Sequence, residues 1–268
     1  MIADYTSYIT ERGAYGMNSR SDNKELFFNE WTKCKYCHNE LENIHNRGLV
    51  DFKTIEGVNW HKSEGVIRCT KCGWWQHTFH SYLEGEQEGF KDWQLDVNSA
   101  TLRRFDVSSN EVPILSLRAY LTQQNDKVFE IHHRKMEELV ASVFKDHFSC
   151  EVKLVGKTND GGIDLILVNS DTPTLIQVKR RKTKNKTESV KEIRDLLGAT
   201  VLKGAKNCAF VTTADHFSPK AIDAAKRAIT NNIVDTFELF DHNRFFDILN
   251  SLGTPNRFEF ERLIQLND

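Results

Sequence analysis

Residues 160–180, DGGIDLILVNSDTPTLIQVKR, decide the fold that we predict for the larger part of the chain. Two runs rich in β-forming residues, 163–169 and 174–180, flank the turn-forming residues Ser-Asp-Thr-Pro at 170–173. Runs of this length, separated by such a cluster, are typical of a β-hairpin. The stretch therefore predicts two antiparallel strands joined by a short turn.

The predicted hairpin brings three polar side chains together. Symmetry about the turn places Asp164 opposite Lys179 and Ile166 opposite Gln177. Because side chains alternate between the two faces of a strand, Asp164, Gln177 and Lys179 then share one face. A carboxylate and an amide oxygen can hold a hard divalent cation, and an ammonium can orient the attacking water in phosphodiester hydrolysis. The alternative is an ordinary hairpin with an exposed Asp–Lys pair.

A glycine pair at 161–162, the apolar strand that follows it and the basic run after Lys179 resemble the catalytic hairpin of the Mrr-type restriction endonucleases. That family belongs to the PD-(D/E)xK nuclease superfamily, in a variant that replaces the usual acidic residue with Gln, as Gln177 does here. The resemblance extends over about residues 113–252. It implies an α/β fold with a restriction-endonuclease-like mixed β-sheet flanked by helices, and Mg²⁺-dependent hydrolysis of DNA.

A helix is predicted upstream of the hairpin, over about residues 133–147, because apolar residues recur there with helical spacing. Glu137 lies at the edge of the apolar stripe, whereas Glu138 points nearly opposite it. A metal-site residue must face the sheet edge, so Glu137 is the better candidate. The resemblance agrees, since Met136-Glu137 stands where the Mrr-type domain has Phe-Glu. A solvated carboxylate on the helix flank is the alternative.

The predicted site combines both segments. Asp160 rivals Asp164 as the acidic ligand, but it lies in a Gly-flanked turn where Asp commonly bonds the backbone. The predicted catalytic residues are Glu137, Asp164, Gln177 and Lys179, and the predicted Mg²⁺ ligands are Glu137, Asp164, Gln177 and the Val178 carbonyl. The basic run that follows predicts a loop that contacts DNA phosphates, through Arg180, Arg181, Lys182, Lys184 and Lys186. A solvated charged turn is the alternative for that run.

Two C-x-x-C pairs, Cys34/Cys37 and Cys69/Cys72, predict a structural Zn²⁺ site. The pattern looks like a zinc ribbon, although the spacing between the pairs is longer than usual. Four thiolates leave no open position for water, which favours a structural role. Nearby histidines could replace a ligand, with a surface or core role as the alternative for each: His38, His45, His61, His77 and His80.

Three tryptophans follow the second cysteine pair. We expect Trp74, Trp75 and Trp93 to pack against the metal-bound turns. Stacking of Trp74 or Trp75 on nucleic-acid bases is the alternative.

Composition places the chain among soluble globular proteins, with 39% hydrophobic and 28% charged residues and a net charge of −2. That charge excludes a uniformly basic nucleic-acid coat, so any contact must be local. No apolar run approaches the roughly 20 residues of a membrane span, and the first residues lack a signal pattern. We therefore expect a cytoplasmic protein. The expected domains are a zinc-ribbon-like, mainly β domain at 1–110, a nuclease domain at 113–253 and a helical extension at 254–268.

Together these features predict a Mg²⁺-dependent DNA endonuclease with a structural zinc. The resemblance implies a role in restriction or antiviral defence, alone or switched on by a partner protein. Cutting of both strands by one site per chain favours a homodimer. The alternative is a catalytically inactive zinc-dependent nucleic-acid-binding or adaptor protein. RNA is not excluded as the substrate.

Overall fold

The computed structural model describes residues 1–16, 22–29, 31–53, 58–85, 91–155, 162–168, 172–253 and 259–266. Asp160 and Asn169 lie outside these residues. The chain divides into two compact units, one formed by residues 1–2 and 105–255 and the other by residues 3–104 and 256–268. Within the described ranges no helix has the length and apolar character needed to cross a membrane.

The strands of residues 1–105 lie mainly in one antiparallel sheet. Their bounds are β1 (Ile2–Asp4), β2 (Tyr8–Gly16), β3 (Leu41–Lys53), β4 (Val58–Cys69), β5 (Trp75–Gly85), β6 (Lys91–Ala100) and β7 (Arg103–Phe105). The five-stranded sheet has the spatial order β2-β6-β5-β4-β3, and β1 pairs with β7. The prediction of a mainly β region around the cysteine pairs is confirmed.

The C-terminal segment belongs to this β-rich unit. Glu259–Arg262 forms a 3-10 helix, and the buried Phe260 packs edge-on against Trp75. The buried Glu64 carboxylate accepts the backbone N–H groups of Gln265 and Leu266 at 2.6–3.0 Å. A charged acceptor with two N–H donors holds Gln265 and Leu266 on the sheet.

The second unit is an α/β domain. Its elements are α1 (Ile114–Gln123), α2 (His133–Phe148), β8 (Glu151–Leu154), β9 (Leu165–Val168), β10 (Thr174–Lys179), β11 (Thr187–Glu188), α3 (Val190–Leu202), β12 (Asn207–Thr212), β13 (His216–Phe217), α4 (Pro219–Thr230), β14 (Thr236–Phe240) and α5 (His242–Ser251). The main sheet has the order β14-β12-β10-β9-β8, with β10, β12 and β14 parallel and β8, β9 and β10 antiparallel. The predicted mixed sheet flanked by helices is confirmed.

Apolar cores cover both faces of this sheet. Ile176 and Val178 of β10 belong to the core that also contains side chains of α1, α2 and α5. Leu175 belongs to the opposite core, with side chains of α3 and α4. Since side chains alternate along β10, Gln177 and Lys179 lie on the α3 and α4 face.

The register predicted for the hairpin is wrong by two residues. Thr174 pairs with Leu167, and Ile166 pairs with Leu175 rather than with Gln177. The connection is longer than the predicted four-residue turn, because β9 already ends at Val168. A shift of two residues keeps every side chain on its face, so Gln177 and Lys179 still share one.

Candidate active site and metal centre

Asp164 stands at the start of the hairpin, just before β9. Its N–H donates to the Ile176 carbonyl, and its carboxylate Oδ2 accepts the Val178 N–H at 2.6 Å. Ile163 and Leu165 belong to opposite cores, so the regular alternation of side chains is interrupted at Asp164. The carboxylate therefore lies in line with the sheet, beside the strand that carries Gln177 and Lys179, and is not aligned on one face opposite Lys179.

Gln177 presents a buried oxygen to this region. Within the described part of the chain, its Oε1 has no hydrogen-bond partner. Gly162 lies beside the same side chain, with a left-handed φ of +81°, and a Cβ at that position would lie 3.2 Å from Gln177 Nε2. A buried amide oxygen without a partner is costly unless something binds it, and a hard cation is one such partner.

Lys179 follows on the same face of β10. Its Nζ lies 3.6 Å from Glu192 Oε2 of α3, and 39% of its side chain is exposed. Glu192 also accepts from the Arg181 guanidinium, at 3.3 Å. The ammonium is therefore held from one side by a carboxylate while it stays open to solvent.

Glu188 is the buried member of the charged cluster that also contains Lys179, Arg181 and Glu192. Its side chain is fully buried, accepts the Thr212 hydroxyl at 2.7 Å and forms a two-point ion pair with Arg181. The bidentate carboxylate raises the pKa of Arg181. Paired acceptors and donors offset the cost of burying the Glu188 charge. The predicted site includes neither Glu188 nor Glu192; the Glu-x3-Glu spacing from the end of β11 into α3 is the sequence signal for this pair.

The two carboxylates of α2 differ in their surroundings. Glu138 pairs with the buried Lys135, and Glu137 is half-buried and interacts with neighbouring groups. The helix packs on the sheet face that carries Val178, opposite the face of Gln177 and Lys179. A contribution of Glu137 to the site thus requires that it approach the Asp164 carboxylate from the other side of the sheet.

The basic run is divided between internal and exposed residues. Arg180 donates to the Phe129 carbonyl at 2.9 Å, and Arg181 is held by Glu188 and Glu192. The three lysines of the run are exposed: Lys182, Lys184 and Lys186. Both arginine side chains therefore support the fold around the site, and the lysines are the side chains that project into solvent.

The two cysteine pairs converge in the β-rich unit. All four Sγ atoms lie within 4.8 Å of one another, with 3.5 Å between Cys34 and Cys72 and 3.4 Å between Cys37 and Cys69. Tetrahedral zinc with Zn–S bonds of about 2.3 Å requires sulfur–sulfur distances of about 3.8 Å. The donor set and its spacing therefore fit zinc. Within the described residues, the histidines named above are not part of this cluster.

Local backbone geometry shapes both cysteine turns. The Tyr36 and Cys72 N–H groups point at the sulfurs of Cys34 and Cys69, at 3.5 Å each. Each turn closes with a left-handed residue, His38 at φ 56° and Gly73 at φ 82°. Although burial opposes it, donation from the N–H groups of Cys72 and Lys71 lowers the pKa of Cys69 to about 7. At Cys69 the turn therefore favours the thiolate, which is the form that binds a metal.

The tryptophans separate into two groups. Trp74 and Trp75 are buried with the cysteines, and their indole N–H groups donate to the carbonyls of Ala100 and Tyr5. Burial excludes a base-stacking role for these two residues. The expectation that Trp93 packs at the metal turns is wrong, because it stacks between Tyr15 and Tyr82 further along the sheet.

Comparison with known proteins identifies the α/β unit. Residues 128–249 match the model of the Mrr catalytic domain, a family described as restriction endonuclease. No curated protein matches the chain. A solved structure of the restriction endonuclease FokI is similar over 66% of this chain, with 11% identity and a TM-score of 0.37, and the chain covers 36% of it. On the family match, residues 128–249 form a restriction endonuclease domain of the Mrr type.

Proposed function

We propose that the α/β domain is a Mg²⁺-dependent endonuclease that hydrolyses phosphodiester bonds of DNA at Asp164, Gln177 and Lys179. The observation that carries the proposal is the buried Gln177 Oε1, which lacks a hydrogen-bond partner among the described residues and belongs to the strand next to the Asp164 carboxylate. A carboxylate and an amide oxygen are the ligands that hard cations prefer. Their chemistry therefore fits Mg²⁺.

The Mg²⁺ site proposed here consists of Asp164, Gln177 Oε1 and the Val178 carbonyl, with Glu137 completing it. Because the Asp164 carboxylate lies in line with the sheet, Gln177 can approach from the α3 face and Glu137 from the α2 face. When bound, the cation would polarise the phosphodiester and stabilise the charge of the transition state. The protein residues supply the fixed ligand geometry.

Lys179 has the role of orienting the attacking water and stabilising the negative charge that develops on the phosphate. Glu192 acts through Lys179, since it holds the ammonium from the α3 side. We assign Glu192 a positioning role. The exposed lysines 182, 184 and 186 contact phosphates of the duplex without reading its sequence.

The four cysteines would hold a structural Zn²⁺ in the β-rich unit. A closed set of four thiolates contributes folding energy and offers no position for a substrate. The inactive-adaptor hypothesis keeps the same zinc site. It does not account for a buried Gln177 oxygen that has no partner among the described residues, on the strand that also carries Lys179 and next to the Asp164 carboxylate.

Nicking of supercoiled plasmid by the full chain, with and without Mg²⁺, tests the proposal. We expect open-circle and linear products that appear only with the metal. A chain that binds DNA but leaves the plasmid intact at every Mg²⁺ or Mn²⁺ concentration would favour the adaptor. We also propose that the protein serves in antiviral defence and that it acts as a homodimer. Sedimentation of the chain with and without DNA tests the homodimer.

A further inference from the structure

The β-rich unit carries a row of aromatic rings that the proposed nuclease chemistry does not use. Tyr15 of β2 pairs with Trp93 of β6, Trp93 with Tyr82 of β5, and Tyr82 with His61 of β4. Neighbouring ring centroids lie 5.3, 4.9 and 5.3 Å apart. Because directly paired residues share a face, the row lines one face of the sheet from strand to strand.

A pocket of about 180 Å³ opens at the Tyr15 end of this row. Its lining consists of Tyr15, Lys24, Phe27, Phe28 and Trp93. Phe27 packs against His80 and against Gly13, where a Cβ would lie 3.0 Å from the Phe27 ring. Phe28 is 81% exposed, so its ring is accessible to a ligand that enters the pocket.

The lining indicates a flat ring joined to an anion. Four of the five lining side chains are aromatic, and the Lys24 ammonium lies 4.9 Å from the Tyr15 ring centroid. That ammonium repels a cationic guest and attracts an anionic one. Aromatic faces stack on nucleobases of any sequence, and lysines bind phosphates. The volume is below the roughly 300–1,000 Å³ of ordinary small-molecule sites, which matches a single ring.

We propose that this pocket binds one unpaired nucleobase of a nucleic-acid strand, with Phe28 against the ring and Lys24 at the adjacent phosphate. The choice of nucleic acid rests on the proposed nuclease function. Residues 1–112 carry 13 basic and 17 acidic residues, and this net negative charge disfavours a contact that follows a duplex backbone over many phosphates. The substrate therefore includes an unpaired or extruded nucleotide.

Fluorescence anisotropy of a labelled 12-nucleotide single strand tests the pocket. The full chain is used without added Mg²⁺, so that the strand stays intact. Stacking contributes about 1–3 kcal/mol per base, so Phe28→Ala should weaken binding by roughly 5- to 150-fold. Trp60→Ala is the control, because Trp60 is an exposed aromatic residue, at 40%, that lies on the opposite face of the sheet. This variant should bind like the wild type.

Three outcomes would overturn the proposal. One is equal affinity of the wild type and Phe28→Ala for the strand. Another is equal affinity of the wild type for the strand and for an abasic strand of the same length. The third is a higher affinity for a fully paired duplex than for the single strand, if Phe28→Ala abolishes that preference. Plasmid nicking is measured separately: base-dependent binding without nicking refutes only the nuclease, and nicking without base-dependent binding refutes only the pocket.

Discussion

The carboxylate of Asp164 bonds the backbone N–H of Val178 at 2.6 Å, and this contact joins the start of β9 to the strand that carries Gln177 and Lys179. The bond extends the hairpin beyond its last backbone pair, Leu165–Ile176. One side chain thus serves both the fold and the proposed metal site. The two roles can be separated by substitution.

Asp164→Asn keeps an oxygen that accepts the Val178 N–H but removes the charge. We expect a folded protein whose cleavage rate falls by on the order of 100-fold or more, because the cation loses its carboxylate. Asp164→Ala should in addition lose about 2 kcal/mol of unfolding free energy, since a hydrogen bond to a charged group is removed. Urea unfolding and plasmid nicking of both variants measure the two effects. Full activity of Asp164→Asn would rule out a metal-binding role.

Glu192→Gln should impair Lys179 without unfolding the domain. The charge attraction across the 3.6 Å contact is lost, so the ammonium samples more positions and the rate of the chemical step falls several-fold. We expect kcat to fall with KM nearly unchanged, and Glu192→Asp to recover part of the activity. A change confined to KM would indicate that Glu192 acts in DNA binding instead.

Arg181 and Lys182 are neighbours in the basic run with opposite expected effects. Arg181→Ala leaves the fully buried Glu188 charge without its main partner and should cost about 3 kcal/mol of unfolding free energy. Because Lys182 is exposed, Lys182→Ala should leave the free energy of unfolding unchanged. It should slightly lower the affinity for DNA and the dependence of that affinity on salt. Denaturant titration and binding at two salt concentrations distinguish them. Equal stability of both variants would contradict the anchoring role of Arg181.

Zinc removal should unfold the β-rich unit. We expect one zinc per chain by mass spectrometry of the metal content, and loss of that zinc together with β-structure in Cys69→Ser. Cys150→Ser is the control, because this half-buried cysteine lies outside the four-sulfur cluster and should retain the zinc. A chain that folds fully without zinc would show that the cysteines need no metal.

The sequence predicts elements more reliably than it predicts their alignment. Periodic apolar residues located α2 within one residue of its observed end, because burial of one helix face follows directly from that period. The register of the hairpin was predicted wrongly, because it depends on the number of residues in the connection between the strands. The amino-acid composition of the turn does not determine that number. Even so, the two-residue error left the face of Gln177 and Lys179 unchanged.

Contacts between distant segments were beyond sequence reasoning. Glu188 contacts Arg181 and Thr212 only when β12 is paired with β10. No local sequence pattern therefore predicts these contacts. Trp93 follows the cysteines in sequence, yet its cross-strand partners Tyr15 and Tyr82 decide its position. The same pairing that moved Trp93 away from the metal turns created the aromatic row.

The most direct test of the central claim is plasmid nicking by Lys179→Ala in the presence of Mg²⁺. The proposed site predicts that this variant folds, retains zinc and binds DNA nearly as well as the wild type, but produces no open-circle or linear plasmid. Undiminished nicking by Lys179→Ala would contradict it and place the chemistry elsewhere in the chain.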